Sequence, residues 1–286
     1  MLIELAIGDA YGAGFEYADD MSVYNDLSRY VTNTRHRLIA GKYTDDTQMS
    51  IAILVPRHFV NAEVIISAAP WTPQVLAESF VTCFKRDRRK GYASRFYDFL
   101  ESIPDGSEFL ARIHADSDKS GAAMRAGPIG VFATPEKVIE AATIQAALTH
   151  NTPDGINAAV AAALMTHYFI YQLGTKRKLG QFLEGYVSGE WSKAWEGKVK
   201  SKGWMSVRAA ITAVMRNDSM SELLKDCIAF TGDVDTVATI ALAAGSCSQE
   251  VTQDIPNHLL MGLENGTYGR DYLIELDKQL MSLVRR

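Results

Sequence analysis

Two short acidic segments hold the residue types in this chain best suited to chemistry. The first is Tyr43-Thr44-Asp45-Asp46-Thr47-Gln48, followed by the apolar run MSIAILV. The second is Thr231-Gly232-Asp233-Val234-Asp235-Thr236, followed by VATIALAAG. Each stands where a loop becomes a helix, and one Asp or Thr oxygen there serves as an N-cap for orphan backbone N–H groups. Each segment nevertheless has more carboxylates than a cap uses. Asp45 and Asp46 are adjacent and repel. Asp233 and Asp235 flank one residue, so an extended segment points both the same way. Meeting in a helical core, the segments present four carboxylates and several threonine hydroxyls. Hard oxygen donors of that kind suit Mg²⁺ or Mn²⁺ rather than Zn²⁺. The helix N-termini help keep the acids ionised, as metal binding requires. No HxxxH pair or Cys/His cluster competes for a metal.

Four other segments carry weaker signals. Gly8-Asp9-Ala10-Tyr11-Gly12-Ala13-Gly14-Phe15-Glu16 has three closely spaced glycines, the mark of a turn or of close backbone approach. Ser117 to Pro128 is a polar loop with small residues, which either connects two helices or wraps a phosphate with backbone N–H groups. His150 closes one helix just before another begins, the position of a C-terminal cap. The basic run Lys85-Arg86-Asp87-Arg88-Arg89-Lys90 reads as a solvated helix end or as a patch that receives phosphate or an acidic surface.

The elements that must position these residues are helical, and alternating β-branched runs are nearly absent. Thr134-Pro135-Glu136 supplies a cap, a first-turn proline and an acid before VIEAATIQAAL. Asn151-Thr152-Pro153-Asp154 repeats that punctuation before INAAVAAALMTHYFIYQL, whose apolar residues on nearly every face predict a central helix stopped at Gly174. Further helices are expected at Trp204 to Met215, Thr236 to Ala244 and Arg270 to Val284. Without linkers or repeats, the 286 residues read as one all-α domain, a compact helical bundle over 1–286.

Composition excludes several classes. A net charge of −5 argues against a basic nucleic-acid binder. Cys83, Cys227 and Cys247 are sparse and far apart, which excludes a disulfide framework and suits a reducing, cytoplasmic compartment. No apolar stretch reaches the ~20 residues of a membrane span, and the N-terminus lacks the basic flank of a signal peptide. A monomer is the default expectation, since nothing suggests a coiled coil.

Taken in order, the segments resemble the ADP-ribosylglycohydrolase family, which includes dinitrogenase-reductase-activating glycohydrolase and crystallin J1. The matches are GDAYGAGFE at 8–16, YTDDTQM at 43–49, RDRRKGYASRF at 86–96, SGAAMRAGPIG at 120–130, LTH at 148–150, TGDVDTVATIALAAGS at 231–246 and IPNHLLMGLE at 255–264. The resemblance implies a compact all-α fold around two divalent cations, Mg²⁺ or Mn²⁺. It implies Thr44, Asp45, Asp46, Asp233, Asp235 and Thr236 as metal ligands, with Glu16 beside the scissile bond. It assigns the turn from Ser117 through Ser120 to Gly121 to the diphosphate and proximal ribose, and His150 to the wall of the ADP-ribose cleft. Two positions depart from the family pattern. The proline of its GxPxE motif is absent from Gly12-Ala13-Gly14-Phe15-Glu16, and Lys119-Ser120-Gly121 replaces the usual Gly-Asn-Gly.

The implied reaction removes ADP-ribose from a modified protein or small molecule, with ADP-ribosyl-arginine the commonest expectation. Glu16, Asp46 and Asp233 are the candidate catalytic carboxylates, Glu16 on the leaving-group side. Two alternatives are a non-catalytic family member that binds metal and ADP-ribose, and an all-α phosphohydrolase. The latter lacks the His-Asp dipeptide it would need.

Overall fold

The computed structural model describes residues 1–18, 22–54 and 71–284. In chain order its helices are α1 (Leu2–Gly12), α2 (Asp45–Leu54), α3 (Pro73–Arg86), α4 (Ser94–Ser102), α5 (Gly106–Arg112), α6 (Gly121–Met124) and α7 (Pro135–Ala147). There follow α8 (Pro153–Ile170), α9 (Leu179–Glu184), α10 (Gly203–Arg216), α11 (Met220–Ala229), α12 (Val234–Gly245), α13 (Asn257–Gly262) and α14 (Arg270–Ser282). Among the described residues extended pairing is confined to isolated bridges, so the fold is all-α as expected.

Local chemistry sets the helix starts. Thr134 accepts from the N–H of Lys137 and Thr152 from that of Gly155, each with proline in the first turn. Every residue of α8 from Ala158 to Phe169 is buried. α6, α7, α10 and α12 pack around it, the central position its composition predicts. The expected stop at Gly174 is corrected. α8 ends at Ile170, and Gln172 takes the left-handed conformation at φ 53°. Gly174 instead makes room for the Tyr168 hydroxyl, which a Cβ there would meet at 2.3 Å.

The pair of helices that matters most for the site is α1 on α12. A Cβ at Gly8 would lie 2.7 Å from the Ala238 carbonyl oxygen, and one at Gly12 only 2.4 Å from Asp235 Cα. These glycines therefore let two backbones touch, and the turn reading is corrected for both: they lie within α1. The contact sets the end of α1, with Asp9, beside the start of α12, with Asp235.

Candidate metal centre

Three chain segments converge here. The end of α1 and the turn after it carry Asp9 and Glu16. The start of α2 carries Thr44, Asp45 and Asp46, and the start of α12 carries Asp233, Asp235 and Thr236. Asn33 holds the first turn in place, its Nδ2 donating to the carbonyls of Ala13 and Glu16, each at 2.9 Å. The N–H of Tyr17 donates to the Gly232 carbonyl at 2.8 Å, tying this turn to the α12 loop.

Glu16, Asp233 and Asp235 each offer a carboxylate oxygen, and these oxygens lie within 4.8 Å of one another. Asp233 and Asp235 do not sit on an extended segment as expected. Asp233 is the residue before α12 and Asp235 lies in its first turn, yet both reach the same cluster. Thr236 lies near both Asp46 and Asp233, close enough to act on the charge of each, and so links the α2 and α12 motifs.

Asp9 anchors the α2 motif, a role that sequence reasoning missed. Its Oδ1 accepts from the Thr44 hydroxyl at 2.8 Å. Its Oδ2 accepts from the N–H groups of Thr44 and Thr47 at 2.9 and 3.0 Å, and from the Thr47 hydroxyl at 2.6 Å. The Thr44 hydroxyl proton goes to Asp9 and its oxygen accepts from the Asp46 N–H at 3.4 Å, which leaves one lone pair for a further partner. The only sequence signal was an acid placed among apolar residues in a Gly-Asp pair.

Gly91 shapes the opposite wall. The Asp45 N–H donates to the Lys90 carbonyl at 3.1 Å. Gly91 has φ 107°, and a Cβ on it would stand 2.0 Å from Asp45 Oδ1. The neighbouring basic run is not simply a solvated end. Arg89 pairs with Asp87 and Glu264 and covers the Tyr43 ring at 3.8 Å, and Arg86 covers the Tyr268 ring at 4.2 Å.

The electrostatics follow from crowding acids away from water. Burial, and then the charges of Asp9 and other cluster members, push Asp45 and Asp46 well above the usual carboxylate range. Burial, then Glu16 and Asp46, do the same to Asp235. Burial also raises Asp233, against the polar neighbours Ser120, Asp235, Thr236 and Ser206, the last donating its hydroxyl to Asp233 Oδ2 at 3.4 Å. Glu16 is raised to about 8 by burial and by Asp233 and Asp9, with Arg35 pulling the other way. Asp46 Oδ2 is buried with no hydrogen-bond partner among the described residues. A buried orphan oxygen inside a ring of mutually repelling acids is costly unless a cation takes it. The donor set is all oxygen, so the residues fit hard divalent cations.

The turn after residue 116 connects this centre to His150. Ser120 lies near enough to Asp233 to favour its ionised form, and Gly121 lies against the His150 ring, with a would-be Cβ 3.1 Å from Cε1. The Ser117 carbonyl accepts from the Thr152 hydroxyl at 3.0 Å. His150 closes α7 only through its backbone, whose N–H donates to Ala146. Burial and then the Arg125 charge hold its ring at about 3. The ring is therefore neutral and does not cap the helix by charge.

The family model for ADP-ribosylglycohydrolase matches residues 1–286. The chain belongs to the ADP-ribosylglycohydrolase family. It is similar to an uncharacterized protein of Archaeoglobus fulgidus, 24% identical over 100% of this chain and 96% of that one. The ADP-ribosylarginine hydrolase Tri1 of Pseudomonas putida is 22% identical over 84% of this chain and 67% of its own. The ADP-ribosylhydrolase ARH3 of Xenopus tropicalis is 27% identical over 64% of this chain and 53% of its own. A solved "ADP-ribosylglycohydrolase-related protein complex" superimposes with TM-score 0.72 at 20% identity, over 99% of this chain and 96% of that one, and so has the same fold. No helix among the described residues is long and apolar enough to cross a membrane.

Proposed function

We propose that this chain hydrolyses the glycosidic bond between an ADP-ribosyl group and its acceptor, ADP-ribosyl-arginine foremost, with two divalent cations, Mg²⁺ or Mn²⁺. The observation that supports this reading is the close cluster of Glu16, Asp233 and Asp235, within electrostatic reach of Asp45 and Asp46, in a chain that matches the family end to end. Thr44, Asp45, Asp46, Asp233, Asp235 and Thr236 would hold the cations. Bound there, the cations would supply Lewis-acid polarisation and a water activated at neutral pH.

The chain's own residues supply positioning and protons. The turn of Ser117, Ser120 and Gly121 binds diphosphate and ribose oxygens, and His150 closes the cleft beside it. Fixing the sugar in this way makes attack at its C1 effectively unimolecular. Glu16 is less deeply buried than the aspartates, so its carboxyl is the one placed to pass a proton to a leaving group. Asp46 and Asp233 orient the attacking water from the opposite motifs. The free cysteines fit a reducing, cytoplasmic setting, and the substrate is an ADP-ribosylated protein or small molecule rather than nucleic acid.

The test is a panel of ADP-ribosylated arginine and serine peptides incubated with Mg²⁺, Mn²⁺ or EDTA, with released ADP-ribose quantified. Release with either cation and loss in EDTA is expected. Undiminished release in chelator, or ADP-ribose binding without turnover of any substrate, overturns the proposal.

A further inference from the structure

The buried groups behind His150 form a hydrogen-bonded chain whose proton positions can be read from chemistry alone. Arg125, at the end of α6, is fully buried, and its guanidinium covers the Phe80 ring at 4.6 Å. Its Nε donates to Gln145 Oε1 at 2.7 Å. Its Nη2 donates to the Gln145 carbonyl at 3.2 Å and to Thr149 Oγ1 at 2.9 Å. Gln145 in turn is held by its Nε2 donating to the Ala122 carbonyl at 3.0 Å. Thr149 Oγ1 lies 2.6 Å from His150 Nδ1.

A guanidinium only donates, so Thr149 Oγ1 accepts from Arg125. The hydroxyl's own proton then needs an acceptor, and among the described residues that is His150 Nδ1. Nδ1 must therefore be bare. A neutral imidazole with a bare Nδ1 carries its proton on Nε2. The Nε2 edge is the one turned toward Gly121, where a would-be Cβ lies 3.3 Å from that nitrogen. Nε2 makes no hydrogen bond to the described residues.

We infer that Arg125 and Thr149 are positioning residues that fix His150 in its Nε2–H tautomer, offering a neutral donor to a phosphate or ribose oxygen held at the Ser117–Gly121 turn. This rests on the assignment of that turn to ADP-ribose in the proposed function. Burial supports the neutral ring, which is held far below its usual range of protonation. The arrangement is selective: a fixed donor accepts an oxygen ligand and leaves a second donor, such as a cation, unsatisfied at the same spot.

The test combines nitrogen NMR with ADP-ribose binding in wild type, Thr149→Val and Thr149→Ser, with the His150 signals assigned by their loss in His150→Gln. Wild type should carry the proton on Nε2. Thr149→Val keeps the side-chain volume but removes the hydroxyl. It should move the proton to Nδ1 or mix the tautomers, and weaken ADP-ribose binding about tenfold. Thr149→Ser should restore both. A proton on Nδ1 in the wild type, or Thr149→Val unchanged in both tautomer and affinity, overturns the inference. The expected tautomer pattern together with no ADP-ribose binding by wild type upholds the relay and overturns the reading of the cleft.

Discussion

Asp46 concentrates the tension of the site in one side chain. Its Oδ2 is buried without a partner, and burial, Asp9 and Asp45 together disfavour its charge. Asp46→Asn removes that charge at nearly constant shape. In chelator the variant should be more stable than wild type, by about 1 kcal/mol, the usual gain when a functional site is relieved of strain. It should also lose turnover and most of the rise in melting temperature that Mn²⁺ gives the parent. A lower melting temperature in chelator, with activity retained, would assign Asp46 to capping instead. Gly91→Ala tests the other wall without touching a carboxylate. The new Cβ meets Asp45 Oδ1 at 2.0 Å and must also adopt φ 107°, so Asp45 is displaced. Mn²⁺ affinity, read by titration calorimetry, should fall at least about tenfold with helical circular dichroism intact, since a misplaced ligand costs more than 1.4 kcal/mol. An unchanged affinity would show that Asp45 does not need that wall.

Among the elements, the contact of α1 with α12 decides whether two acid-bearing segments meet. Gly12→Ala is the informative change because its sign separates two effects. On an exposed helix the substitution stabilises by up to ~1 kcal/mol through propensity. Here the Cβ would enter the α12 backbone at Asp235 Cα, so overpacking should destabilise by about 1–3 kcal/mol and blunt metal-induced stabilisation. Denaturant melts with and without Mn²⁺ measure both, and a more stable Gly12→Ala variant would show that the helices are not in close contact. This contact was hidden in the sequence for a physical reason. Gly8 and Gly12 are poor helix formers, so their local reading is a turn, and only the facing α12 explains them. Asp9 was hidden likewise: its partners Thr44 and Thr47 lie more than 30 positions away, and no periodicity announces a buried acid. Local chemistry was readable. Thr134-Pro135 and Thr152-Pro153 start helices where capping predicts, and the all-apolar α8 is central. The acid motifs were readable as excess charge beyond a cap, but the left-handed end of α8 at Gln172 carries no such mark.

For the whole molecule the cluster makes stability depend on pH in a direction opposite to that of ordinary salt-bridged acids. Glu16 ionises near 4.5 in the unfolded chain and near 8 in the folded one. Between these values the folded state binds more protons than the unfolded, so stability falls as pH rises. Below the window both states are protonated and the contribution is fully present; above it both are ionised and it is gone. Asp45, Asp46 and Asp235, also raised, act in the same sense. In EDTA the melting temperature should therefore decline from about pH 5.5 to about pH 8.5. Cations demand ionised ligands, so their binding tightens over the same range and its stabilisation grows with the ratio of free ion to dissociation constant. With saturating Mg²⁺ the decline should flatten or reverse, and the two curves should diverge most at high pH. Melting curves at five or six pH values, with EDTA and with Mg²⁺, read this directly. A chelated protein that grows more stable across the window, or curves that stay parallel, would mean that the acids are not crowded together around a cation. The divergence belongs to the fold rather than to one residue, because α1, α2 and α12 each bring charge that the others repel, and the ion relieves all three at once.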